Sequence, residues 1–248
     1  MSDKPARVAR FFADGALRAG GTLLLPEDAA HHAVHVLRLQ AGEAVTLFNG
    51  RGGEYAGRIA AIERLRVTVD LLEHRALERE SPLAVTLVQG VSSSEKMDFT
   101  VQKATELGVA ALQPVIAARS TGRIAGERAA QKRAHWQRVA IAACEQCGRN
   151  RVPQVLPPMP LAEFCGNVPA GAALLLSPAA QLGLRDAAAR LTGAVALAAG
   201  PEAGFTGPEE ALLAGAGFVP VRLGPRVLRT ETAALAALAA LNALAGDF

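Results

Sequence analysis

Arg229 and Glu231 stand two positions apart in Leu223-Gly224-Pro225-Arg226-Val227-Leu228-Arg229-Thr230-Glu231-Thr232-Ala233, a stretch that turns at Gly224-Pro225 before an alanine-rich run. A guanidinium at such a place can bind a phosphate or a carboxylate, or stabilise negative charge developing on a carbonyl oxygen. A carboxylate near a helix start can pair with it or accept backbone N–H groups, and Thr230 can cap the helix. A second loop of the same character, Gly200-Pro201-Glu202-Ala203-Gly204-Phe205, follows the apolar run 194–199. Its glycines permit close backbone approach, and Glu202 can accept hydrogen bonds or position a cation. Taken singly, each stretch also reads as an ordinary strand-to-helix connection. Two successive strand-end loops with Gly/Pro chemistry point to a ligand crevice at the C-terminal edge of a parallel sheet. Neither is GxGxxG or a glycine-rich loop ending in Gly-Lys-Ser/Thr, which argues against a nicotinamide enzyme or a nucleoside triphosphatase.

Other reactive side chains carry less. Cys144 and Cys147 have the spacing of a metal or redox pair, but Cys165 is the only other cysteine, so no thiolate set for zinc is complete. Helical packing accounts for them better, and no structural metal is expected. His31, His32 and His35 lack an HExxH context and read as capping, packing or RNA-contacting residues. Lys103 and Glu106, three apart on one helix face, can pair with each other or support a substrate site.

The elements that must position these groups fall into two patterns. Residues 1–74 read as a compact, mainly β domain, with strands at Thr22–Leu25, Ala44–Phe48, Glu54–Ile62 and Leu65–Leu71 and turns at Asn49-Gly50 and Gly52-Gly53. His31–Arg38 reads as a short helix with Val34 and Leu37 facing inward. Glu73–Ser81 is a linker candidate before Pro82. From there strands and helices alternate: strand Leu83–Val91, helix Ser94–Gly108, strand Ala111–Ile116, helix Glu127–Cys147, strands Ala172–Leu176 and Val195–Ala199, helix Pro208–Ala214, strand Phe218–Leu223 and helix Thr230–Ala245. Such alternation predicts an α/β fold with a mostly parallel sheet over residues 75–248.

Half of the 248 residues are hydrophobic, enough for a substantial core, and the net charge is only +3. The positive excess lies between residues 75 and 153, around Arg119, Arg123, Arg128, Lys132, Arg133, Arg138, Arg149 and Arg151. That cluster can attract a phosphate backbone or simply form a solvated helix face. The opening MSDKPARVARFF does not read as a secretory signal, and the apolar run 233–245 is too short to span a bilayer. Three cysteines form no disulfide framework, so a cytoplasmic setting is expected, without a membrane.

Several fragments together resemble one family. ARFF with Arg10, HHAVHVLR with His32, Val36, Leu37 and Arg38, QKATELGV at 102–109, EQCGR at 145–149, VPQV at 152–155, GPEAGF at 200–205 and LGPRVLRTETA at 223–233 occur in the order seen in the 16S ribosomal RNA uracil N3-methyltransferases. The chain departs from that pattern at Ala203, where glycine is usual, so the backbone there must accept a Cβ; Cys147 replaces a common serine. The resemblance implies a small PUA-like β-barrel domain for RNA binding followed by a SPOUT domain, an α/β fold whose mostly parallel sheet carries a deep trefoil knot. It also implies a homodimer and S-adenosylmethionine as cofactor, held by backbone groups of three knot loops. Leu176 and Ser177 would come from the first loop, and Gly200, Pro201, Glu202 and Gly204 from the second. Leu223, Gly224, Arg226, Leu228, Arg229 and Ala233 would come from the third.

The implied reaction is methyl transfer to uracil N3 in 16S ribosomal RNA of an assembled or assembling small subunit. N3 lies on the Watson–Crick edge, so the base must be exposed or flipped. Its proton must leave, and Arg229 and Glu231 are the candidates for substrate placement or electrostatic support. Arg10, Arg38, Arg119, Arg123 and Arg149 are candidate RNA contacts, with Arg149 also able to face a dimer interface. Two alternatives stay open: a knotted methyltransferase acting on ribose O2′ or another base position, and an inactive RNA-binding assembly factor.

Overall fold

The computed structural model describes residues 8–121, 124–189 and 191–248. Contacts divide the chain into two units. One runs to Glu80 and takes in Cys144–Val152; the other comprises Ser81–Ala143 and Pro153–Phe248.

The first unit holds β1 (Ala9–Phe12), β2 (Thr22–Leu24), α1 (Glu27–His31), β3 (Ala44–Phe48), β4 (Glu54–Glu63) and β5 (Arg66–Arg75). The strands form one sheet in the order β1-β3-β4-β5-β2, with β1 and β3 parallel and the other neighbours antiparallel. Alternation fixes which face is buried: Val67, Val69 and Leu71 point into a core with Phe11, Leu47 and Ile59, while Arg66 and Asp70 point out. The sequence expectations placed β2, β3 and β4 and began β5 within a residue, but β5 runs on to Arg75, into the expected linker, and β1 was left out.

Residues 31–38 correct one expectation. After α1 the helix widens over His32–Val36, and Leu37 N–H donates to the His32 carbonyl five residues back. One extra residue in the turn rotates the face that follows it. Ala33 is therefore buried and Val34 packs on the core, but Leu37 is 41 % exposed, and Leu39 packs inward instead. Arg38 closes the turn with a φ of 55°.

The second unit contains β6 (Ala84–Gly90), α2 (Ser94–Glu106), β7 (Ala111–Ile116), α3 (Gly126–Cys147, its last turn counted with the first unit), β8 (Gln154–Val155), β9 (Met159–Pro160) and α4 (Leu161–Cys165). There follow β10 (Ala172–Leu176), α5 (Leu184–Ala188), β11 (Ala194–Ala199), α6 (Gly207–Gly215), β12 (Val219–Val221) and α7 (Thr230–Ala245). Its sheet runs β12-β10-β11-β6-β7-β8, with β9 also on β7, and every pairing is parallel. Val85 and Leu87 on β6 and Val195 and Leu197 on β11 face a core that α7 closes with Ala234, Ala237, Leu238 and Leu241. The buried Asn242 locks that helix: its amide donates to the Leu107 carbonyl at 2.6 Å and its oxygen accepts from Ser81 Oγ at 2.8 Å.

The end of the chain makes the knotted crossing. Ser177 N–H donates to the Val221 carbonyl, Arg222 N–H to the Leu182 carbonyl and Leu184 N–H to the Arg222 carbonyl, so the chain leaving β12 is stitched to the loop after β10. It then passes to the loop after β11, where Thr230 Oγ1 donates to the Gly200 carbonyl, and ends as α7 against α2, α5 and β11. This is the SPOUT arrangement. No helix among the described residues is long and apolar enough to cross a membrane.

Candidate functional site

The loops after β10, β11 and β12 enclose a cavity of about 330 Å³. Leu176 and Ser177 line it from the first, Gly200, Pro201, Glu202 and Gly204 from the second, and Leu223, Gly224, Arg226, Leu228 and Ala233 from the third. Eleven of the twelve residues singled out by resemblance for the cofactor thus converge on one hollow. Arg229 is outside that lining; it is the exposed residue just before α7. The sequence reading did not name eight others as cofactor residues: Pro178, Ala199, Ala203, Phe205, Glu210, Val221, Val227 and Thr230. Glu210 alone among them carries a charge, and its only available signal was its place in the first turn of a helix next to GPEAGF.

The loop after β11 is held from several sides. Gly90, the last residue of β6, lies so close to it that a Cβ there would meet Pro201 Cδ at 2.5 Å and the Gly200 carbonyl carbon at 2.8 Å. The neighbouring Gln89 donates its amide to the Gly200 carbonyl at 3.3 Å and to Thr230 Oγ1 at 3.0 Å. Glu202 accepts from Ser93 N–H at 3.1 Å and pairs with Lys96 at 3.0 Å, which together hold its carboxyl below the usual carboxylate range. The guanidinium of Arg119 donates to the Ala203 carbonyl at 2.9 Å. Gly200 itself has no room for a side chain, since a Cβ would meet Phe205 N at 2.8 Å. Ala203 is different. It does not occupy the left-handed region, where only Arg38 and Arg64 stand among the described non-glycine residues, so its methyl group is accommodated without strain.

The last loop departs from its expected hydrogen bonding. Thr230 does not cap α7; it is the first helical residue, and its hydroxyl ties the helix to the Gly200 carbonyl. Arg229 takes the cap position without a side-chain hydrogen bond. Among the described residues Arg229 and Glu231 form no ion pair. Glu231 instead has one carboxylate oxygen, Oε2, buried with no hydrogen-bond partner among the described residues. Glu209 completes a capping box with Thr206 and also accepts Ala118 N–H. Burial pushes its carboxyl up, and those N–H donors with Arg119 outweigh that and leave it below the usual range.

The five arginines expected at the RNA fare differently. Arg38 and Arg119 are exposed. Arg123 lies outside the described residues. Arg10, part-buried, and Arg149, buried, are both engaged in ion pairs within the first unit. Arg10 pairs with Glu54 at 2.6 Å and donates to Asn150 Oδ1 at 2.7 Å, its guanidinium lying over the Phe48 ring. Arg149, 4 % exposed, holds Glu80 through both Nε and Nη2. Lys103 and Glu106 pair at 2.8 Å, as their spacing allowed. Cys144 is buried, and no group of three or more His, Cys, Asp or Glu among the described residues is placed to hold a metal.

Comparison with known proteins decides the family. Residues 79–242 match the model of an RNA methyltransferase domain, and residues 25–72 match an RNA methyltransferase PUA domain. The chain belongs to the RNA methyltransferase family. Within that family it is 30 % identical to ribosomal RNA small subunit methyltransferase E of Buchnera aphidicola subsp. Schizaphis graminum, over 97 % of this chain and 98 % of the relative. A Neisseria gonorrhoeae enzyme of the same name, solved with S-adenosylmethionine, is 42 % identical with a TM-score of 0.90, covering 98 % of this chain and all of the other (100 %). A methyltransferase of Legionella pneumophila, solved with the same bound cofactor, is 40 % identical with a TM-score of 0.94 over the same shares, 98 % and 100 %.

The cavity fits such a group. Leu176, Ala199, Val221, Leu223 and Leu228 give apolar walls for a planar base, and two glycine-bearing loops leave backbone within reach. Gly204 and Gly224 hold φ of 72° and 100°, so the loop shape depends on glycine at both.

Proposed function

We propose that this chain methylates N3 of a specific uridine in 16S ribosomal RNA of the assembled or assembling small subunit, using S-adenosylmethionine. The observation that carries this reading is the convergence of the three family loops on one cavity in an RNA methyltransferase chain. The cofactor supplies an electrophilic methyl group. Leu176, Ser177, Gly200, Pro201, Glu202, Gly204, Leu223, Gly224, Arg226, Leu228 and Ala233 would hold it, with Arg229 beside them at the helix start. The chain's own task is to bring the base edge to that group in line and to exclude water.

Uracil N3 is a poor nucleophile until its proton leaves. Arg229, exposed beside the cavity loops, is assigned to a uracil carbonyl, where it stabilises the negative charge that deprotonation creates. Glu231 is assigned to substrate support. It is the second residue of α7, next to the cavity-lining Thr230. Arg38 and Arg119 remain as phosphate contacts, with Arg123 proposed on sequence alone. Action as a homodimer goes with the 81 % exposure of the apolar Val227 beside the cavity, and a cytoplasmic place goes with a ribosomal substrate.

Mass spectrometry of small-subunit RNA from deleted and complemented cells tests the assignment. Restoration of N3-methyluridine at a single position is expected, and a ribose methyl mark or another base position would refute it. Sedimentation at several concentrations tests the dimer, for which a purely monomeric species is the contrary result.

A further inference from the structure

Three carboxylates follow one another along the loop after β11 and the start of α6, and they are not equivalent. Glu202 is committed to Ser93 N–H and Lys96, and Glu209 to Thr206 and Ala118. Glu210 is turned the other way. It lines the cavity, it forms no ion pair among the described residues, and its Oε2 lies 3.5 Å from the hydroxyl of Ser177, itself 5 % exposed and on the cavity wall. The one basic residue lining the cavity, among those described, is Arg226. A half-buried carboxylate facing a hollow of mostly apolar walls gains from a cation that joins it there.

We infer that Glu210 is the residue that selects the cofactor by charge, taking one of its cationic groups, with Ser177 as an additional oxygen acceptor at the same place. This rests on the reading of the cavity as an S-adenosylmethionine site. The cofactor carries two cations, an ammonium and a sulfonium. A neutral hydroxyl pair, such as a ribose diol, would leave the charge of Glu210 unbalanced.

The experiment is calorimetric titration of the full-length protein and of Glu210→Gln with three ligands, alongside the melting temperature of each protein without ligand. S-adenosylmethionine has both cations, S-adenosylhomocysteine has only the ammonium, and methylthioadenosine has neither. Glu210→Gln is expected to weaken S-adenosylmethionine at least about tenfold and to leave methylthioadenosine unchanged. Equal weakening of S-adenosylhomocysteine places Glu210 on the ammonium; no change there places it on the sulfonium. Equal weakening of all three ligands, or of none, overturns the inference. A wild-type protein that binds none of the three overturns the cofactor reading itself, and this inference with it.

Discussion

Arg10 shows how much one side chain decides. Glu54 sits almost buried beneath it and also receives Asn150 at 3.3 Å and Arg79 at 3.3 Å. Burial pushes the Glu54 carboxyl up, but the hydrogen bonds from Arg10, Asn150 and Arg79 and the charge of Arg10 outweigh it, so it stays below the usual range. A carboxyl lowered by folding stabilises the fold above its unfolded pKa and loses that contribution as pH falls through its folded value. Thermal melts between pH 6 and 3 are therefore expected to show an acid-dependent loss that Glu54→Gln reduces, with Glu202 and Glu209, lowered in the same way, contributing the rest. Glu145 works in the opposite sense, since burial raises it despite the Phe12 N–H it accepts, so its protonation in acid favours the fold. Arg10→Ala leaves Glu54 buried with weaker partners and is expected to cost about 3 kcal/mol by denaturant titration, the low end for breaking a buried pair. Cys144, whose thiol burial pushes up to about 12 against the opposing charge of Arg149, is expected to resist iodoacetamide at pH 8 until the protein unfolds. The charge of Arg10 and Arg149 was plain in the sequence, but their partners were not. Glu54 and Glu80 are 44 and 69 positions away, and no local pattern joins them.

At the scale of elements, period and punctuation were informative where segments were long. β7, β10 and α7 fall on their expected residues, and α3 starts one residue early at Gly126. What escaped were two-residue strands and five-residue helices, β8, β9, α4 and α5, too short to repeat a hydrophobic period. The cavity loops were legible because Gly and Pro mark them, whereas the contact of β6 with Pro201 was not, being a matter of how strands are ordered. Gly90→Ala should consequently displace the loop after β11. The expected result is at least a tenfold loss of S-adenosylmethionine affinity by calorimetry with the sheet retained in circular dichroism, and unchanged affinity would refute the close-contact argument. Thr230→Val removes the hydroxyl that the Gly200 carbonyl and the Gln89 amide share. It is expected to cost about 1 kcal/mol of stability and to weaken cofactor binding in the same titration.

For the whole molecule, two units with separate cores need not melt together. A ligand that binds one native unit stabilises that unit by mass action, about 2.7 kcal/mol at a hundredfold excess over Kd. Calorimetric scans are expected to move the transition of the second unit upward with S-adenosylmethionine, while Arg10→Ala lowers that of the first. A single transition shifted equally by both treatments would argue against independent units. The joining of Cys144–Val152 to the first unit was not marked in the sequence, because one unbroken helix, Gly126–Cys147, crosses the boundary with no glycine or proline at it.

The stitched passage of residues 221–230 between the loops after β10 and β11 has a mechanical consequence. An untangled polypeptide pulled by its ends pays out until every residue spans its full 3.3–3.6 Å, roughly. Here tension would cinch the crossing around the last helix instead of freeing it. A molecule held by its two termini in an optical trap should stop short of its full contour and keep that shortfall after all its secondary structure has gone.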